Sequence, residues 1–291
     1  MKLMLRTFAL ALFVAFTSHA LHAQSRVSDQ QLREFEQFVV KWMAAEHVPG
    51  LTIGFFKGDQ VWVKSFGFSD VENQARTTNE SSYRLASVQK TMTAVAVLQL
   101  AERKQLDLDA EIQAYVPYFP RKPYPITARQ LLSHLGGIPH YVNRDVEQHI
   151  TTHKTTRESI AIFENFDLVA EPGTRYSYSS YGYNLLGAAI EGASKQSYAD
   201  YMRDHVWGPA GMPNTRLDDP RAIIPHRVRG YRLVDGKLEN SEFIDISSRF
   251  AAGGSRGTVP DLLAFMRALN GGKLLSAKSV QMMITPGVTK D

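Results

Sequence analysis

The stretch TMTAVAVLQL, residues 91–100, restricts this chain more than any other. Only Thr91, Thr93 and Gln99 are polar there, and no alternation or one-sided stripe separates a wet face from a dry one. A helix that is apolar nearly all round is buried on every side, so the rest of the chain must wrap it. Ser87-Val88-Gln89-Lys90 stands at its head. A lysine at the mouth of a buried helix is costly unless it has a partner or a task.

Positions i and i+3 of a helix share a face, so the Lys90 amine can approach the Ser87 hydroxyl. A serine at a helix N-terminus also sits at the positive end of the macrodipole, which favours an alkoxide or oxyanion there. Apolar surroundings lower a lysine's pKa and let it accept the serine proton. Ser-x-x-Lys is a short pattern, expected about once by chance in a chain of this size. Here it occurs once, at Ser87, and its place at the head of the most apolar helix sets it apart.

The chain has 291 residues, which suits one large domain or two small ones and is ample for a substantial core. Its formal charge is +4, and Lys2 and Arg6 in the N-terminal segment supply two of those charges. No Lys/Arg stripe accompanies the basic balance, so it does not indicate nucleic-acid binding. The N-terminus reads MKLMLR, then TFALALFVAF, then TSHALHA. A short basic region, an apolar stretch and small residues before a polar start predict a secretory signal over 1–23, cleaved after Ala20 or Ala23. As a membrane anchor that run is too short for a hydrocarbon layer of ~30 Å. The expectation is therefore a periplasmic or secreted protein with no stable membrane anchor after cleavage. The absence of cysteine excludes disulfides, thiol catalysis, a cysteine-linked lipid and Cys-type zinc sites.

Spacing predicts an amphipathic helix after a Ser28 cap, with Leu32, Phe35, Val39 and Trp42/Met43 on its apolar side and Pro49-Gly50 at its end. Residues 51–70 predict a hairpin about Lys57-Gly58-Asp59-Gln60, and Asp235-Gly236 marks a weaker one near 229–239. Helices are expected after a Thr127 cap, over 157–166, over 180–206 up to a Trp207-Gly208-Pro209 break, and in two pieces behind the Gly-rich loops of the tail.

Four further features bear on chemistry. Tyr176, Tyr178, Tyr181 and Tyr183 crowd in front of a helix rich in small residues. A tyrosine whose pKa a nearby cation lowers can act as a general base, but by composition alone this is a packing loop. Gly253-Gly254-Ser255-Arg256-Gly257 fits G-x-S-x-G, yet no histidine follows His226, so the triad order fails and a flexible glycine turn is expected. His149 and His153 have the i, i+4 spacing of metal ligands without the Glu of H-E-x-x-H, and read as a surface pair. His134 reads as a hydrogen-bonded structural histidine rather than a catalyst.

Four segments occur together in order: YRLASVQKTMTAVAVLQLAERKQLDLDAEIQAYVPYFP, ITARQLLSHLGGIPHY, EPGTRYSYSSYGYNLLGAAIE and FAAGGSRGTVPDLLAFMRALNGGKLLSAKSVQMMITP. In this the chain resembles the serine β-lactamase-related family, which takes in class C β-lactamases, penicillin-binding D-alanyl-D-alanine peptidases and esterases. The resemblance runs from about residue 30 to Pro286. It implies an α/β (mixed α+β) fold of the β-lactamase/transpeptidase type: an antiparallel sheet flanked by helices, with a helical subdomain at roughly 105–225 of a domain spanning 24–291.

By the same resemblance Ser87 matches the acylated nucleophile, Lys90 its activating partner and Tyr178 the general base or proton relay. Ser180 stands where the family's Tyr-x-Asn motif has the substrate-binding asparagine; a hydroxyl lacks the amide's paired donor and acceptor, which counts against β-lactams. Leu135-Gly136 replace Thr-Ser, with a packing effect expected. The implied activity is acyl-enzyme hydrolysis of a peptide, D-amino-acid amide, ester or β-lactam carbonyl. It needs no metal or organic cofactor, and its partner is a small-molecule or peptide substrate, cell-wall-derived material included. The family's third motif, Lys-Thr-Gly or His-x-Gly, lies beyond the MMITP segment, so the C-terminal sheet strands are expected to be missing and an apolar edge and face left open. Two rival expectations stand beside this one: a non-catalytic scaffold without a complete groove, and a metal-dependent hydrolase using His149 and His153.

Overall fold

A computed structural model describes residues 26–142 and 150–287. Helix α1 (Asp29–Ala45) opens on a capping box in which Ser28 and Gln31 satisfy each other's backbone N–H groups. Strands β1 (Gly50–Lys57) and β2 (Gln60–Asp70) form the expected hairpin, with Lys57 opposite Gln60, and β3 (Ala75–Arg76) pairs with the far end of β2. Strand β4 (Tyr83–Arg84) leads into a 3₁₀ turn, Ala86–Val88, and then the buried helix α2 (Gln89–Glu102). Helix α3 (Ala128–Leu132) starts on a Thr127–Gln130 capping box, and α4 (Thr156–Ala161) on one from Thr155 and Glu158.

Helix α5 (Ser180–Ser194) packs along α2. Helix α6 (Tyr198–Tyr201), a π-helical turn over Met202–Trp207 and α7 (Gly208–Ala210) follow it. Strand β5 (Arg216–Leu217), the hairpin β6 (Tyr231–Val234) and β7 (Lys237–Asn240), and β8 (Ser255–Gly257) precede α8 (Val259–Asn270) and α9 (Ala277–Ile284). All strand pairs are antiparallel, in sheets ordered β1-β2-β3, β4-β8-β5 and β6-β7. The mixed helix-and-antiparallel-sheet architecture is the one expected.

Helix α2 is buried over nearly its whole length, with Met92, Val95, Ala96, Val97 and Leu100 fully enclosed. Each of these side chains larger than alanine contributes about 1.5–3 kcal/mol of hydrophobic stabilisation. Its buried polar groups are engaged at the surfaces that wrap it. Gln99 donates to the His205 and Leu274 carbonyls, at 2.9 and 3.1 Å. Gln89, Thr93 and Lys90 donate to three successive carbonyls, those of Phe250, Ala251 and Ala252. The wrapping of α2 is thus fixed by hydrogen bonds as well as by apolar contact.

The structure differs from expectation in four places. The run 180–206 is not one helix: Lys195 turns left-handed at φ 61°, and the chain then passes helically through Gly208-Pro209 to stop at Gly211, φ 79°. The helix expected over 157–166 is only α4. Helix α1 ends before Pro49 and buries Val39 and Met43 but leaves Phe35 and Trp42 exposed. The Gly253–Gly257 stretch is no flexible turn: β8 is a fully buried central strand, and Ser255 is enclosed within it. Among the described residues β1 has no partner on its outer edge, and Phe38 and Val40 of α1 are well exposed. The signal segment 1–23 and His149 lie outside the described residues.

Candidate active site

Ser87 occupies the centre of the 3₁₀ turn before α2, where its side chain is exposed. The preceding Ala86 has φ 46°, in the left-handed region that costs an L-residue about 1–2 kcal/mol. Gly253 makes room for it: a Cβ there would lie 3.1–3.3 Å from the Ala86 backbone. Strain held by packing just before a reactive residue is a recurrent feature of functional turns. Among the described residues no acceptor meets the Ser87 N–H, which leaves that donor for an oxyanion.

Three groups meet at the serine. Lys90 Nζ lies 3.0 Å from Ser87 Oγ and donates to the Ala252 carbonyl at 2.7 Å. Tyr178 Oη lies 2.6 Å from Ser87 Oγ on its other side. Lys90 is only 6 % exposed, and its amine stands 5.0 Å from the Tyr178 ring centre and 5.7 Å from that of Tyr183. Burial pulls the Lys90 amine below the ordinary lysine range; Tyr178 opposes this, and Arg249 adds to it. For Tyr178, burial pushes the phenol up, but hydrogen bonding to Lys90 and Ser87, the Lys90 charge and Ser180 outweigh it, and the net shift is downward. Both neighbours of the serine therefore give up a proton more easily than usual, and they titrate as a coupled pair.

Tyr178 is set from both sides by His134. The Ser177 N–H donates to the His134 carbonyl at 2.9 Å, and the Ser179 N–H donates to His134 Nδ1 at 3.2 Å. The imidazole lies 4.5 Å from the Tyr178 ring, centre to centre. Burial, then the charges of Lys90 and His140, push its pKa down to about 4, so the ring is neutral at neutral pH, and the Ser179 N–H donated to Nδ1 places its one proton on Nε2. This is the hydrogen-bonded structural histidine expected, but its structural task is to hold Tyr178. Ser179 caps α5, accepting from Gly182 N at 2.9 Å and donating to the Pro139 carbonyl at 2.8 Å.

Ser180, in the first turn of α5, is buried; its N–H donates to His140 Nδ1 at 3.2 Å, and its hydroxyl helps lower Tyr178. The tyrosine cluster divides by depth. Tyr181 stacks on Phe163 at 4.5 Å, and burial pushes the Tyr183 phenol well above its ordinary value. Gly136 is a packing position as expected, since a Cβ there would lie 2.7 Å from Leu131 Cδ2. His153 faces Asp245 at 3.9 Å, and no group of three metal-ligating side chains occurs among the described residues. A mainly apolar cavity of about 920 Å³ opens beside Lys90, between α2 and α9, with Thr91, Ala94, Leu135 and Tyr183 on its walls.

Sequence reasoning brought Ser87, Lys90 and Tyr178 to one place, and the structure joins all three. It missed the left-handed Ala86, the Ala252 carbonyl that anchors Lys90 and the His134 brace. Each depends on a contact between distant segments, although the polar Gln89, Lys90 and Thr93 in an apolar helix were a sign that something polar had to lie against them.

Ser87 in the turn before α2, Lys90 buried one turn on and Tyr178 from the segment before α5 form one hydrogen-bonded cluster on a β-lactamase/transpeptidase-like fold. The chain belongs to the Beta-lactamase family, whose model matches residues 35–290. It is 30% identical to the human (Homo sapiens) mitochondrial serine beta-lactamase-like protein LACTB, over 76% of this chain and 53% of that protein. The chain thus spans about half the length of the curated relatives it matches. Among solved structures it is similar to the octameric penicillin-binding protein homologue from Pyrococcus abyssi, with TM-score 0.77 and 29% identity over 87% of this chain and 60% of that one. It is also similar to D-amino acid amidase from Ochrobactrum anthropi, with TM-score 0.73 and 26% identity over 84% of this chain and 72% of that one.

Proposed function

We propose that this protein is a serine hydrolase that works through an acyl-enzyme on amide or ester carbonyls, with D-amino-acid amides and short peptides its leading substrate class. The observation that carries this reading is the placing of Ser87 Oγ within hydrogen-bond reach of both Lys90 Nζ and Tyr178 Oη, each of lowered pKa. Ser87 Oγ attacks the carbonyl carbon as its proton passes to the Lys90–Tyr178 pair. The Ser87 N–H meets the oxyanion at the positive end of α2. The leaving amine or alcohol takes the proton from the pair as its bond to carbon breaks. Water then attacks the acyl ester, gives its proton to the same pair, and the acid departs as Ser87 recovers its hydrogen. The likeness to a D-amino acid amidase supports the substrate class. Ser180, in place of an asparagine, counts against β-lactams.

Export belongs to the same proposal. It is supported by the basic, apolar and small-residue order of residues 1–23. N-terminal sequencing of the mature protein from fractionated cells tests it, with a start after Ala20 or Ala23 expected.

The activity is tested by turnover of D-phenylalanine amide, a D-alanyl-D-alanine peptide, p-nitrophenyl butyrate and nitrocefin, each with wild type and Ser87→Ala. Amide or ester turnover that vanishes in the variant and resists chelator is expected. Turnover that survives Ser87→Ala contradicts the mechanism, chelator-sensitive turnover points to metal chemistry, and no turnover of any substrate favours the non-catalytic scaffold.

A further inference from the structure

We propose that a second cavity, beside the strands that lead into and away from the nucleophile's turn, binds an oxyanion: a carboxylate or phosphate group carried by a small molecule. Its volume is about 420 Å³, and none of Ser87, Lys90 and Tyr178 lines it. Three arginines do. Arg84 and Arg256 face each other across the β4–β8 pair, and Arg227 joins from the segment bridged to Ser82.

All three converge on one carboxylate. Asp218, whose side chain is fully enclosed, accepts from Arg84 Nε at 2.7 Å, Arg227 Nη1 at 2.8 Å and Arg256 Nη1 at 2.8 Å. One negative charge among three guanidinium groups leaves two positive charges uncompensated. Arg256 is 2 % exposed and registers the excess: burial pulls its pKa down, Asp218 pushes it up, and Arg227 and Arg84 pull it down again. A guanidinium does not relieve such crowding by losing its proton, and charges in a partly enclosed site are weakly screened.

Two flanking clusters are each one negative charge in excess: Arg229 lies between Asp70 at 2.9 Å and Glu72 at 3.2 Å, and Arg232 between Glu239 at 3.2 Å and Glu242 at 3.1 Å. The positive excess of the arginine trio is therefore local and is offset over the wider surroundings, so the site is marked out by its open donors. Among the described residues, Arg84 Nη1, Arg227 Nε and the Ser241 hydroxyl have no acceptor, although the other nitrogens of both arginines are bonded. Forked guanidinium donors suit the paired oxygens of a carboxylate or phosphate. Tyr83 and the exposed Phe243 add apolar wall for the body of the ligand.

The test is calorimetric titration and thermal melting of the purified chain with sodium phosphate and with sodium succinate, each against sodium chloride of equal ionic strength. Wild type is compared with Arg84→Gln, Arg227→Gln and the rim variant Ser241→Ala, with folding checked by circular dichroism. Saturating phosphate, succinate or both is expected to raise the wild-type melting temperature by about 2–4 °C beyond chloride. Binding should weaken about tenfold or more in each arginine variant, weaken less in Ser241→Ala, and persist in Ser87→Ala because the site is separate from the nucleophile. Response to phosphate alone assigns a phosphate ligand, and response to succinate alone a carboxylate. No binding by wild type, a shift no larger than chloride's, or binding that folded Arg84→Gln and Arg227→Gln both retain overturns the proposal. Should the arginine variants not fold, the wild-type comparison with chloride and Ser241→Ala decides.

Discussion

Ser87 stands between two groups that hold protons weakly, and the pH behaviour of the site follows from how they are coupled. Tyr178 raises the Lys90 pKa against the pull of burial. Activity needs the pair one proton short, so the rate should rise with pH through the pair's deprotonation, at a pH below the ordinary lysine value. Tyr178→Phe removes the opposing influence, so the rising limb should move to lower pH while kcat falls by about 10²–10⁴; a pH–rate profile of both proteins reads both effects. His134 adds a second titration. Its pKa in the fold, about 4, lies below the ordinary 6.5. The unfolded chain therefore binds a proton more readily, and stability should be lost as pH falls from about 6.5 towards about 4. His134→Asn keeps a side-chain acceptor for the Ser179 N–H and should retain most activity. His134→Phe should lower kcat more than it raises KM and change the pH limb, because Tyr178 loses its brace. Equal kinetic behaviour of the two variants would reduce His134 to packing alone. Ser87 and Lys90 were legible locally, through spacing and an apolar context. Tyr178 was legible only through the resemblance, since nothing near it in sequence separates it from its three neighbouring tyrosines. The His134 brace was not legible, because its two bonds join segments more than forty residues apart.

At the level of elements, α2 is a rod whose polar residues dock the loop before β8. Thr93 Oγ1 donates to the Ala251 carbonyl at 2.7 Å and lies 2.7 Å from the Tyr198 hydroxyl, whose pKa burial pushes up to about 12. Thr93→Val keeps the shape and leaves both buried groups short of a partner, so it should destabilise by about 1–3 kcal/mol in urea titration. The same docking sets the Ala252 carbonyl against Lys90 and Gly253 against Ala86. Gly253→Val should therefore lower activity by disturbing the turn, even where the protein remains folded at the temperature of the assay. Helix starts were well marked by Ser28 and Thr127 because a cap is a local bargain between neighbouring residues. The break at Lys195 and the continuation through Gly208-Pro209 were not, because tertiary packing overrides propensity there. β8 was misread for a related reason: glycine-rich composition looks like a turn until β4 and β5 close on either side.

For the molecule as a whole, two buried devices hold distant parts of the chain together: the apolar packing around α2, and Asp218 with its three arginines tying β4, β8 and the segment around Arg227. Asp218→Asn leaves three buried or half-buried guanidinium groups without their counter-charge and should cost about 3–5 kcal/mol, read as a lowered denaturation midpoint. The mixed architecture was legible because one enclosing helix and a run of ordered motifs leave few ways to fold. The arginine cluster was not, because its members are scattered from Arg84 to Arg256 and each looks like an ordinary surface charge. The central claim is that the Ser87 hydroxyl is a nucleophile made reactive by Lys90 and Tyr178. Intact-mass and peptide-mapping analysis after treatment with a fluorophosphonate probe tests it most directly. One adduct per chain, on Ser87, slowed by Tyr178→Phe and abolished by Ser87→Ala, is the result expected; an unmodified chain, or an adduct on any other residue that survives Ser87→Ala, would contradict it.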